Sequence, residues 1–109
     1  MIDTTMPPIP EVGPVEARRL LVRGALALDV REPDEFAAGH VIGARLIPLG
    51  RIGEHLDALP RDRNVVVVCR SGRRSGEAVR LLRQAGIDRA LNMSGGMLAW
   101  IEAGLPVEE

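Results

Sequence analysis

Cys69 is the single cysteine of the chain, and it stands in the run VVVVCRSGRRS, residues 65–75, between four valines and three arginines. A thiol reacts as its thiolate, which forms near neutral pH only beside positive charge or oriented amide dipoles. The residues after Cys69 supply both. Gly72 permits a tight turn, and a loop entering a helix aims several backbone N–H groups at one point. Arg70, Arg73 and Arg74 add cationic side chains around it. The pattern specifies an activated cysteine in an anion-binding bowl. By default a lone cysteine in an apolar strand is a small buried hydrophobe. The arginines argue otherwise, because three guanidinium groups buried without anions would be costly. Ser71 and Ser75 read as loop and helix-cap hydrogen bonders, since a serine nucleophile would need a base that the loop lacks.

The elements around this run explain how the thiol is delivered. Val65 to Val68 form a β-branched run of the kind found in interior parallel strands. After the loop, a helix starting near Ser75 carries Ala78, Leu81, Leu82 and Ala85 at i, i+3, i+4 and i+7, and Gly86 can end it. Earlier in the chain, residues 25–30 (ALALDV) and 44–49 (ARLIPL) read as strands, with Pro48 limiting the second. A final short strand falls at 89–93. Helices are expected from Pro14 to before Gly24, over 33–39 closed by Gly39, and over 51–58 with Ile52 and Leu56 on one side. The last helix follows Gly95-Gly96 and docks Met97, Leu98 and Ile101, with Trp100 as a core anchor. Strands therefore alternate with helices, which implies an α/β fold with parallel strands and helices on both faces of one sheet. Ligands of such sheets bind beyond the carboxyl ends of the strands, where Cys69 falls. Asp29 and Arg31 end an earlier strand near the same edge and are expected to brace the Cys69 loop through an ion pair or hydrogen bonds. His40 is expected to bond a local carbonyl, and His55 to lie at the surface.

Composition narrows the function classes. The chain has 109 residues, 46% hydrophobic and 27% charged, which suits one soluble domain with a continuous core. Aromatics are only 2%, Phe36 and Trp100, so Val, Leu, Ile and Ala build that core. Residues 1–14 are proline-rich and aperiodic and read as an extended arm, leaving 15–109 as a single domain. The net charge of −1 provides no basic field for nucleic acid or an anionic membrane. All 14 basic residues are arginine, which excludes lysine chemistry. One cysteine and two histidines argue against a zinc site, and no cofactor or metal is implied. The opening residues lack a basic n-region and an apolar h-region, so no signal peptide is expected and a reducing cytoplasm is the default compartment.

In order, DVREPDEF, GHVIGA, CRSGRRS and SGGMLAW resemble the rhodanese family of sulfurtransferases over roughly residues 15–106. The resemblance implies a rhodanese-like domain with a central parallel five-stranded sheet. It also implies that Cys69 takes a sulfane sulfur from thiosulfate or a persulfide donor, holds it as a persulfide, and passes it to cyanide or a thiol. Substrate binding would fall to Arg70, Ser71, Gly72, Arg73, Arg74 and Ser75, with Arg70 and Arg74 favoured for the departing anion. The chain departs from the family pattern at Ile42, where proline is usual, and at Leu46, where asparagine is common; neither position carries chemistry. Two alternatives stay open: a persulfide carrier or redox-sensing module serving an acceptor protein, and a cysteine phosphatase or arsenate reductase. A phosphatase loop has five residues between cysteine and its phosphate-gripping arginine. Here that position is Ser75, and the arginine comes one residue sooner.

Overall fold

A computed structural model describes residues 8–109. In chain order the elements are β1 (Glu11–Val12), α1 (Pro14–Val22), β2 (Leu26–Asp29), α2 (Pro33–Ala38), β3 (His40–Val41) and β4 (Arg45–Leu46). Two 3-10 segments follow, Leu49–Glu54 and Leu56–Ala58, then β5 (Val65–Val68), α3 (Arg73–Gln84), β6 (Ala90–Met93), α4 (Gly96–Glu102) and β7 (Val107–Glu108). Five strands form one parallel sheet in the order β1-β6-β5-β2-β4, and β3 pairs antiparallel with β7 beside it. The α/β fold with a five-stranded parallel sheet is the one expected.

The valine strand lies at the centre, with all four residues fully buried, because both faces of a parallel sheet are covered. Side chains alternate across it. Val65, Val67 and Cys69 pack with Ala78, Val79 and Leu82 of α3, while Val66 and Val68 pack with Ala17 of α1 and with Met97 and Trp100 of α4. Alternation therefore assigns the thiol to the α3 side.

Several elements differ from the expectation. The arm read over 1–14 is built into the domain at its end: Glu11 and Val12 pair with Asn92 and Met93 as the edge strand, and Pro14 is already helical. Residues 1–7 of that arm lie outside the described residues. The helix expected over 51–58 is a pair of 3-10 turns held by bonds such as Arg51 N to Pro48 O (2.8 Å) and His55 N to Ile52 O (3.0 Å). Gly50, Gly53 and the flanking prolines weaken a regular helix there. The helix α3 begins at Arg73 rather than near Ser75, because Gly72 takes the left-handed conformation (φ 100°) as its N-cap. Its buried stripe is Ser75, Ala78, Val79 and Leu82, and Leu81 is left exposed. On α4 only Met97 and Trp100 go inward; Leu98 and Ile101 face solvent. Trp100 is the anchor expected, 1% exposed, with its Nε1 donating to Pro106 O at 3.0 Å. His40 bonds Phe36 O through Nδ1 at 2.7 Å, the local carbonyl contact expected, and His55 is exposed.

Candidate functional site

Two neighbours hold the Cys69 loop from outside. Met97 N donates to Cys69 O (2.9 Å) and Leu98 N to Arg70 O (3.1 Å), so α4 takes up the outward carbonyls of the loop. Gly96 makes this approach possible: a Cβ there would lie 2.5 Å from Cys69 O and from the Arg70 carbonyl. With the carbonyls turned outward, the amides turn toward the sulfur. Gly72 N donates to Cys69 Sγ at 3.1 Å, and the Ser75 hydroxyl lies 3.2 Å from the same atom. Burial pushes the Cys69 thiol up, but the hydrogen bonds of the Ser75 hydroxyl and of the Ser75, Gly72 and Ser71 amides outweigh it. The net shift is below the ordinary thiol value.

Of the sequence-predicted site residues, the structure gathers Cys69, Gly72 and Ser75 around the sulfur, with the Ser71 amide. Ser75 is not a helix cap; it is fully buried in the first turn of α3 and bonds side chains instead. The three arginines separate. Arg70 and Arg73 are exposed at the loop surface. Arg74 is drawn into a two-pronged bond with Glu35 of α2, 2.8 Å on each side. That pair holds the Glu35 carboxyl down at about 2, chiefly through the Arg74 hydrogen bonds and against partial burial, and raises Arg74 in turn.

Asp29 and Arg31 do form a buried pair, with Arg31 Nε and Nη2 on the carboxylate at 2.8–3.1 Å. The Arg31 amide also donates to Asp29 Oδ1 (3.0 Å), and the remaining side-chain bond goes to Gly39 O at 2.8 Å, so the pair braces the turn after α2. The ion pair is the one expected, but its side-chain hydrogen bonds serve this turn and, among the described residues, not the Cys69 loop, which corrects the expected site of bracing. Two carboxylate–arginine pairs, the buried Asp29–Arg31 and the partly exposed Glu35–Arg74 between α2 and α3, thus engage the charges nearest the loop.

Sequence reasoning missed Asn92, which is 2% exposed in β6. Its Nδ2 donates to Gly72 O (3.1 Å) and to Glu11 Oε2 (3.0 Å), and its Oδ1 lies 2.5 Å from Ser75 Oγ. The only signal was a polar residue inside the apolar run ALNM. Glu35 was also missed, since an acidic residue early in a helix is satisfied there by the helix terminus alone. Among the described residues no cluster of three or more His, Cys, Asp or Glu could hold a metal ion, and no helix is long and apolar enough to cross a membrane.

Comparison with known proteins gives the same outline. The family model described as a rhodanese-like domain matches residues 14–103. A sulfurtransferase of Allochromatium vinosum is 43% identical over 82 residues, 75% of this chain and 77% of that protein. A thiosulfate sulfurtransferase of Pseudomonas aeruginosa is 34% identical over 89 residues, 82% of this chain and 81% of that one. The crystal structure of a rhodanese-related protein from Thermoplasma volcanium superimposes with a TM-score of 0.84 at 32% identity, covering 91% of this chain and 97% of that chain. Other curated relatives are longer: the matched segments span 54%, 62% and 25% of three of them.

Proposed function

The chain belongs to the rhodanese-like domain family, whose matching relatives include sulfurtransferases, and from that premise we propose that it moves sulfane sulfur through Cys69. The observation that carries the reading is the convergence of the Gly72 amide and the Ser75 hydroxyl on the one thiol, at the carboxyl end of the central strand. The Cys69 thiolate attacks the outer sulfur of thiosulfate, or of a persulfide donor. An S–S bond forms at Sγ, the donor S–S bond breaks, and its electron pair leaves with sulfite or with the donor thiolate. The outer sulfur of the new persulfide carries the negative charge, and the loop amides stabilise it. Cyanide or a thiolate then attacks that outer sulfur and regenerates the Cys69 thiolate. No general base is required once the thiol is ionised.

Arg70 and Arg73 are better placed than Arg74 to orient the departing anion, because Arg74 is engaged by Glu35. The same engagement speaks against a phosphatase, whose loop needs an arginine free to grip phosphate. A persulfide carrier is the second reading. One relative, named a probable adenylyltransferase/sulfurtransferase of Mycobacterium tuberculosis, contains the matching region as a quarter of its length. The lone free thiol also suits a reducing compartment such as the cytoplasm.

The deciding experiment is intact mass after incubation with thiosulfate and removal of the excess. A gain of one sulfur atom is expected, reversed by cyanide and absent in Cys69→Ser. No gain from thiosulfate or a persulfide donor overturns the proposal. Fast loading with slow turnover to cyanide selects the carrier reading.

A further inference from the structure

The side chain of Asn92 is fully committed. Both Nδ2 hydrogens are donated, to Gly72 O and Glu11 Oε2. Turning the amide over would set Oδ1 against those two acceptors, so Oδ1 faces Ser75. Ser75 Oγ lies 2.5 Å from Oδ1 and 3.2 Å from Cys69 Sγ, yet a hydroxyl has one hydrogen for the two neighbours. Two oxygens approach so closely only with a hydrogen between them. While Ser75 donates to Asn92, it presents lone pairs to the sulfur. That suits a neutral Sγ, whose S–H donates to Oγ, and does not suit a thiolate. Ser75 is 0% exposed and Asn92 2%, so bulk water does not replace whichever bond is lost.

We infer that Asn92 is a positioning residue whose carbonyl competes with the sulfur for the Ser75 hydrogen. Ionisation of Cys69 breaks the Ser75–Asn92 bond, and any step that leaves Sγ without charge restores it. One consequence rests on the sulfurtransferase reading. After loading, the charge sits on the outer sulfur and Sγ is neutral, so Ser75 returns its hydrogen to Asn92. Asn92 thereby favours the loaded protein over the empty thiolate and biases the site toward keeping its sulfur.

Other charges also face this cluster. Arg74 of α3, paired with Glu35 of α2, acts on Cys69, and Asp29 at the end of β2 acts on Arg74. Glu11 of β1 holds Asn92, and Arg70 and Arg73 flank the loop. All of these act whether or not Ser75 has a hydroxyl, so a double-mutant cycle separates them from the competition.

The test is the pH dependence of Cys69 alkylation by iodoacetamide in the full chain, in Asn92→Ala, in Ser75→Ala and in the double variant. With Ser75 present, Asn92→Ala frees the hydroxyl for the thiolate. The alkylation midpoint is expected to fall by about half to one pH unit relative to the effect of the same change in the Ser75→Ala background. Equal shifts in both backgrounds would make Asn92 a brace alone and overturn the inference. Should the alanine variant fail to fold, Asn92→Leu in both backgrounds keeps the volume without the carbonyl. The same difference is expected, and the same equality refutes it. Alkylation reports the thiolate whether or not sulfur is ever taken up. A normal cycle in a protein that loads no sulfur would therefore sink the sulfurtransferase reading and leave the competition standing.

Discussion

Replacing Gly96 by alanine tests how the loop is held. Gly96 has φ +57°, and its added Cβ would lie 2.5 Å from Arg70 C, Arg70 O and Cys69 O, all backbone atoms. The left-handed conformation alone costs alanine about 1–2 kcal/mol. Relief of the overlap requires the loop and α4 to separate by roughly 1 Å, since ordinary carbon contacts begin near 3.5 Å. Such a separation weakens the bonds from Met97 N to Cys69 O and from Leu98 N to Arg70 O, about 0.5–1.5 kcal/mol each. The total is on the order of 2–5 kcal/mol, a large share of a typical domain stability of about 5–15 kcal/mol. Gly104 provides the control. Its φ is +74°, but nothing lies within 4 Å of its added Cβ. Gly104→Ala should therefore show only the backbone cost, about 1–2 kcal/mol. Urea denaturation of both variants, followed by circular dichroism, measures the difference. Gly96→Ala should also alkylate more slowly at Cys69, because the Gly72 amide moves with the loop. Equal destabilisation of the two variants, with unchanged thiol reactivity, would refute the claim that α4 shapes the bowl.

Three further outcomes follow from the geometry. Glu35 is depressed from 4.5 to about 2, so its contribution is complete above the unfolded value and is lost as pH falls from 4.5 toward 2. Denaturation of the native protein should accordingly steepen over that window relative to Glu35→Gln. Both partners are partly exposed, which limits the pair to about 1 kcal/mol. For Cys69, the alkylation midpoint of the folded protein should lie below that of the chain unfolded in urea; coincident midpoints would show that the amide cradle does not act on the sulfur. Trp100→Ala should cost about 3–5 kcal/mol in denaturant, measured by circular dichroism because the variant lacks the only tryptophan.

The sequence carried the parts of this protein that are local. Four valines in a row read as a strand covered on both sides, and a glycine three residues past the cysteine marks the turn that aims the amides. The long-range pairings were harder to see. Val12 joins the sheet because Asn92 and Met93, some eighty residues away, offer it an edge. Nothing in a proline-rich arm announces that partner. Arg74 looked like a substrate ligand because it sits in the loop, but Glu35, thirty-nine residues earlier, claims it. For the same reason Asp29 and Arg31 brace the wrong turn for the prediction: the deciding acceptor, Gly39 O, comes from an element that spacing alone does not position. Leu98 and Ile101 were assigned inward by apolar character, whereas helix phase gives the interior to Met97 and Trp100.

The sameness of Val65, Val66, Val67 and Val68 has a consequence for folding. A slide of two residues along β2 and β6 keeps every valine on its proper face, so the apolar surfaces alone do not resist it. The flanks do. Sliding one way drags Arg63 and Asn64 into the sheet interior, and sliding the other way drags in Cys69 and Arg70. Either slide would bury a guanidinium group with no partner, which the interior strongly opposes. Arg63 and Arg70 thus serve as end stops that index an otherwise featureless strand, and moving either charge by substitution would loosen the registry of the whole sheet.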